Sequence, residues 1–215
     1  MVLDELKKSN LIFNHGDAID DFRKSCNNLE PYEIVDRYLI EKPSYFFEYI
    51  RNGGEYEFKK EIAQLLEVHI RDIVIVGSGK LGFSLKPDKV DSRLYPFTIF
   101  DGRNEKKSDL DIAIISSSLF DKEMQNLYDH TSVERSKWKH YDRDNFSFFI
   151  MKGRLTIRNL PKEFQFTKDV RNVQKKYRME YGRDINLEIY KSWHYFETYH
   201  QQNIFTIKLN LFALS

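Results

Sequence analysis

Only one cysteine, Cys26, occurs in the 215 residues. A lone thiol excludes an intrachain disulfide framework and any zinc or iron–sulfur site built on several cysteines. Its polar surroundings carry neither a helix-start signal nor a strongly basic setting, so a catalytic thiol is not expected. No apolar run reaches the roughly 18 residues that a membrane span needs, and no basic-then-apolar leader opens the chain. A soluble, cytoplasmic protein without a membrane partner is therefore expected. Proline is sparse and scattered (Pro31, Pro43, Pro87, Pro96, Pro161), and no repeat or low-complexity stretch marks a linker. The six histidines show no compact metal-ligand spacing. Net charge is nearly absent, at +1. Aromatic side chains, by contrast, abound: 17 Phe and 13 Tyr suffice for a core and argue against disorder.

The charge that is present is unevenly spread. Residues 1–60 carry 9 Lys and Arg against 12 Asp and Glu, whereas residues 122–183 carry 15 against 8. The later segment is either a solvated helical surface or a field that draws a polyanion. The front of the chain reads as helices. Pro31 suits a first helical position, and Tyr32, Val35 and Leu39 recur on one face. Gly53-Gly54 ends the stretch that begins near Pro43. A helix is predicted from Glu55 to His69 on Phe58, Ile62, Leu65 and Leu66. The pattern then changes to short β-branched runs, Ile73–Val76 and Ile112–Ile115, of the kind that fill a strand buried on both faces. Ser118 with Asp121 matches a capping signal for a helix burying Phe120, Met124, Leu127 and Tyr128. A later helix is predicted from Pro161, an alternating strand over 185–190, and helix again from Trp193. Residues 141–160 fit helix and strand equally. The expected class is α/β (or α+β): a mixed sheet flanked by helices behind a helical N-terminal region. The expected organisation is a helical region over 1–70, a core over 71–193 with an insertion at 86–107, and a C-terminal helical segment over 194–215.

Two clusters carry chemistry. Gly77-Ser78-Gly79-Lys80-Leu81-Gly82 satisfies the glycine spacing of a dinucleotide-binding turn directly after a strand. Pro87 follows too soon for the long helix that must return the chain to a parallel strand, which argues against that reading. A Walker A loop fails because Phe83 and Ser84 stand where Lys and Ser/Thr belong. The second cluster is Ser108-Asp109-Leu110-Asp111-Ile112. Acids two apart on a strand share a face and repel each other unless protons or a cation neutralise them. Mg²⁺ suits such a pair, since it takes oxygen ligands from one or two carboxylates and from substrate phosphates. The plain alternative is a solvent-exposed start to an apolar strand.

Together, Val76-Gly77-Ser78 and Asp109-Leu110-Asp111-Ile112 resemble the motif of the DNA polymerase β-like nucleotidyltransferase superfamily: a Gly-Ser turn, a spacer, then acid–hydrophobic–acid. The resemblance covers residues 70–120 and, more weakly, 180–193. It implies a nucleotidyltransferase-like sheet, a Gly77-Ser78 turn that holds nucleotide phosphates, and Asp109 and Asp111 as ligands of Mg²⁺ or Mn²⁺. The implied activity moves a nucleoside monophosphate from ATP or another nucleoside triphosphate to a hydroxyl of RNA, a nucleotide or a protein. Lys80, beside the turn, is a candidate to neutralise the triphosphate. The superfamily places a third carboxylate on a later strand. Asn186, Glu188 and Tyr190 share one face of the 185–190 strand, making Glu188 the candidate catalytic acid, with Asp184 a weaker one. Asn186 in that position would instead leave the third acid missing. The spacer between the motifs is long, with residues 86–107 inserted. A catalytically impaired module that binds nucleotide or a partner protein, in a defence or toxin–antitoxin setting by family analogy, is the alternative reading. A nucleic-acid-binding protein using the basic 122–183 region is the third.

Overall fold

A computed structural model describes residues 13–102, 106–132, 140–161 and 163–213. Parts of the predicted 1–70, 86–107, 122–183 and 194–215 segments thus lie outside the described residues. The chain is a mixed α/β structure around a four-stranded sheet. The strands are β1 (Ile73–Val76), β2 (Leu110–Ile115), β3 (Arg154–Thr156) and β4 (Ile185–Tyr190), in the spatial order β1-β2-β4-β3. β2 runs parallel to β4, while β1 and β3 pair antiparallel at the edges. Every second residue faces the same way. Leu110, Ile112, Ile114, Ile185, Leu187 and Ile189 thus enter the larger core, with side chains of α3 (Glu55–Leu66), α5 (Ser117–Thr131) and α7 (Lys168–Tyr181). The opposite face carries Val74, Val76, Ala113 and Tyr190, packed on Phe196 of the long C-terminal helix α8 (Trp193–Ala213). That second face also carries Asp111, Asn186 and Glu188, and the candidate site lies on it.

At the front, Asn14 caps α1 (His15–Asn28) by accepting from Gly16 N at 3.0 Å. Pro31 opens α2 (Pro31–Ile34), reinforced by a capping box between Glu30 and Glu33, and a π-helical stretch, Val35–Glu41, continues it. α1 and α2 pack on α8. Cys26 is fully buried in this cluster, and burial pushes its thiol pKa up to about 11, as suits an inert core thiol.

Four sequence expectations shift. α3 stops at Leu66, where Glu67 turns left-handed, and Leu65 is exposed. α5 is capped by Ser116, two residues earlier than predicted, whose hydroxyl accepts from Leu119 N at 3.2 Å. On α5, Tyr128 is exposed, and Glu123 is the buried polar residue. Glu123 accepts from Thr167 N at 3.1 Å and from the Thr167 hydroxyl. That anchor starts α7 at Lys168 rather than at Pro161. The undecided 141–160 stretch holds both elements: α6 (His140–Met151), then β3. Among its described residues, the 86–107 insertion is irregular, tied down by a bridge between Phe83 and Ile99. No helix of the described residues is long and apolar enough to cross a membrane.

Candidate functional site

Antiparallel pairing sets Val76, the last residue of β1, opposite Asp111. The chain must turn sharply there to enter the one-turn helix α4 (Ser78–Leu81), and Gly77 does so at φ +65°. A Cβ on Gly77 would lie 2.9 Å from Asp111 Oδ2, and one on Gly79 would lie 2.6 Å from Leu110 Cδ1. Glycine at both positions lets the turn close against the start of β2. Ser78, Asp109 and Asp111 consequently line one open cavity of about 600 Å³.

Parallel pairing sets Asn186 opposite Asp111. Asn186 Nδ2 donates to Asp111 Oδ1 at 2.7 Å and to Asp109 Oδ2 at 3.3 Å. Arg158 Nη2 also reaches Asp109 Oδ2, at 3.3 Å. Among the described residues, no hydrogen bond engages Asp109 Oδ1 or Asp111 Oδ2. The pair thus keeps one carboxylate oxygen each for a ligand, and among the described residues its bonded cation is the exposed Arg158.

Glu188 lies one step further along β4, opposite Ala113, on the same face. There Arg154 of β3 donates to Glu188 Oε1, and the Tyr190 hydroxyl lies 3.4 Å from Oε2. Both partners of this ion pair are nearly buried, with side-chain exposures of 10% and 14%. Arg154 also sits under the rings of Phe149, Tyr190 and Tyr199. Burial opposes its charge, but Tyr190 and Glu188 outweigh burial and raise the guanidinium pKa. Asn186, not Glu188, is thus the β4 side chain bonded to the aspartates, and Glu188 is bound to an arginine. Asp184, the weaker candidate, pairs with Lys106 at 3.1 Å and Arg178 at 3.2 Å. Among the described residues no three His, Cys, Asp or Glu are grouped to hold a metal.

Lys80 does not face the cavity. It is buried, and its Nζ donates to the carbonyls of Ile40, at 3.4 Å, and Lys42. Burial lowers its pKa to about 8 despite the nearby Glu55. The predicted triphosphate cation is a clamp between α4 and the π-helical stretch. The cavity's cations come instead from the insertion: Lys86, Lys89, Lys106 and Lys107 line it with Ser84 and Asp88. Their run of positive charge was the available signal, but only the fold brings both ends of the insertion to one cleft.

A second cavity, about 380 Å³, opens from the same turn toward α8. Gly77, Ser78, Asp111 and Glu188 form its polar end, and Leu39, Leu81 and Ile204 contribute apolar wall. His200 lines it with a buried Nε2 that has no partner. Burial, helped by Arg154, lowers the His200 pKa to about 3, so the ring is neutral at physiological pH. Trp193 donates to Asp72 Oδ1 at 2.9 Å and packs on Phe196, a structural role. Trp138 lies outside the described residues.

Two hard oxygen donors that keep one oxygen each suit an Mg²⁺ that completes its octahedron with water and substrate phosphates, and do not make a stand-alone metal cage. Compared with known protein families, with curated proteins and with solved structures, the chain gives no match.

Proposed function

We propose that the chain is a metal-dependent nucleotidyltransferase with a nucleotidyltransferase-like sheet, acting on a nucleoside triphosphate and a hydroxyl acceptor. The observation that carries this reading is the closure of the Gly77 turn onto Asp111, with Asp109 Oδ1 and Asp111 Oδ2 unengaged beside it. In this reading the Gly77-Ser78 turn and the insertion's Lys86, Lys106 and Lys107 hold the triphosphate. Asp109 and Asp111 would hold Mg²⁺ or Mn²⁺, which would supply charge neutralisation at the phosphates; the acceptor hydroxyl attacks the α-phosphorus and pyrophosphate leaves. Asn186 has no basic oxygen, and Glu188 is committed to Arg154. With Asp109 Oδ1 left to the metal and Oδ2 bonded to Arg158 and Asn186, the hydroxyl proton passes to solvent.

The test is transfer of label. Each α-labelled nucleoside triphosphate is incubated with the protein, Mg²⁺ or Mn²⁺, and RNA, nucleotide or protein acceptors. Metal-dependent labelling of an acceptor, with release of pyrophosphate, is expected. A second reading, a module that binds nucleotide without turning it over, is favoured by Asn186 as the β4 side chain bonded to the aspartates. Metal-dependent nucleotide binding with no turnover by any acceptor would select it.

A further inference from the structure

A third groove shares Asp109 and Lys106 with the cavity under the insertion. It runs between β4 and α7, with a volume of about 560 Å³. Arg171, Lys175 and Arg178 recur every three to four residues on α7, on one exposed face, and span about 10 Å of helix at 1.5 Å per residue. Arg158 continues the line to Asp109. Among the described residues, the acids lining this groove are Asp109 and Asp184, and Asp184 is already paired with Lys106 at 3.1 Å. Asp184 bonds Arg178 at 3.2 Å, and Arg171 Nη1 donates to Gln165 Oε1 at 2.7 Å. Positive charge remains in excess, and it sits within reach of the proposed reaction centre.

Two neutral side chains in the groove refine its chemistry. Gln174 donates one amide N–H to Ile185 O at 3.1 Å and keeps a second, whereas Asn186 spends both of its own on the two aspartates. Each is left with an amide oxygen that can only accept. Phosphate oxygens cannot donate to these acceptors, whereas a ribose 2′-hydroxyl can. A ligand with anionic links and sugar hydroxyls satisfies both sets of groups.

We infer that this groove binds the phosphodiester backbone of single-stranded RNA and leads its 3′-terminal hydroxyl to Asp109, which makes RNA the acceptor. The inference rests on the nucleotidyltransferase reading for the acceptor role, and on the groove alone for binding.

The test measures fluorescence anisotropy of a labelled 12-nucleotide single-stranded RNA against the full chain, with no nucleotide and no divalent metal, across a KCl series. Four phosphate contacts on a single strand give a log Kd against log salt slope of magnitude about 3. The triple variant Arg171→Ala/Lys175→Ala/Arg178→Ala, exposed positions whose folding is checked by circular dichroism, should cut that slope to about 1 and weaken binding at least tenfold at low salt. Asp109→Asn, which keeps the groove's cations, should bind RNA at least as well as the wild type. DNA of the same sequence should bind several-fold more weakly. Equal affinity of the triple variant and wild type, a flat salt series, or equal binding of RNA and DNA would each overturn the inference. Transfer to a nucleotide or protein acceptor but not to RNA would overturn the acceptor assignment while leaving the transferase reading intact. Salt-dependent RNA binding without transfer to any acceptor would do the reverse.

Discussion

Asp111 and Glu188 lie on the same face of the sheet, on neighbouring parallel strands, and they differ in what neutralises them. Glu188 has a built-in counter-charge, Arg154, roofed by aromatic rings. Asp111 has a neutral amide, Asn186, and an open cavity. A buried acid with its own arginine is complete without a ligand. An acid pair bridged by an amide still carries repulsion that charge from outside relieves. The comparison separates the carboxylate that holds β3 to β4 from the pair that keeps unengaged oxygens at an open cavity.

The largest effect should come from breaking the closed side. Arg154→Met leaves Glu188 buried without its partner and should cost about 3–5 kcal/mol in urea unfolding. Adding Glu188→Gln should restore most of it, because no uncompensated charge then remains. Breaking the open side should do the opposite. Asp109→Asn or Asp111→Asn should lower label transfer about 10²-fold or more, the equivalent of roughly 2.7 kcal/mol or more of lost barrier lowering. Stability should hold or rise slightly, since a repulsive pair is neutralised. Unfolding well below wild type in either variant would place these acids with Glu188 as structural groups.

Gly77→Ala sharpens the contrast at the turn. Strain of about 1–3 kcal/mol from a positive-φ extended conformation that favours glycine combines with a Cβ placed 2.9 Å from Asp111 Oδ2. Nucleotide affinity should therefore fall even where the melting temperature drops by only a few degrees. A pH-dependent effect belongs to Lys80, whose pKa falls from 10.5 unfolded to about 8 folded. Between those values the unfolded chain binds the extra proton, so stability should rise with pH from about 8 toward 10.5. Lys80→Met should remove that rise, read as the difference between wild-type and variant unfolding curves across the window.

The strands of the site were legible from two patterns: β-branched runs buried on both faces mark 73–76 and 112–115, and apolar–polar alternation marks 185–190. β3 was hidden because three residues, Arg154–Thr156, follow an aromatic helix with no change of period to announce them. The Asp109-x-Asp111 pair and the Gly77-Ser78 turn converge on one cleft, as their shared strand pairing allows. Lys80 misled because proximity to the turn along the chain says nothing about direction: the short helix α4 points its amine at the carbonyls of Ile40 and Lys42. Glu188 and Asn186 share a face, so alternation alone could not choose between them. Register chose: Asn186 lies opposite Asp111, and Arg154, forty residues upstream of His194 and remote from the motifs, claims Glu188.

The most direct test of the central claim is nucleotide binding measured by calorimetry, with each nucleoside triphosphate in Mg²⁺ or in EDTA, for the wild type and for Asp109→Asn/Asp111→Asn. Binding should require Mg²⁺ in the wild type and be lost in the double variant, with both proteins equally folded. Equal affinity in EDTA, or unchanged Mg²⁺-dependent binding by the double variant, would contradict the assignment of these two aspartates.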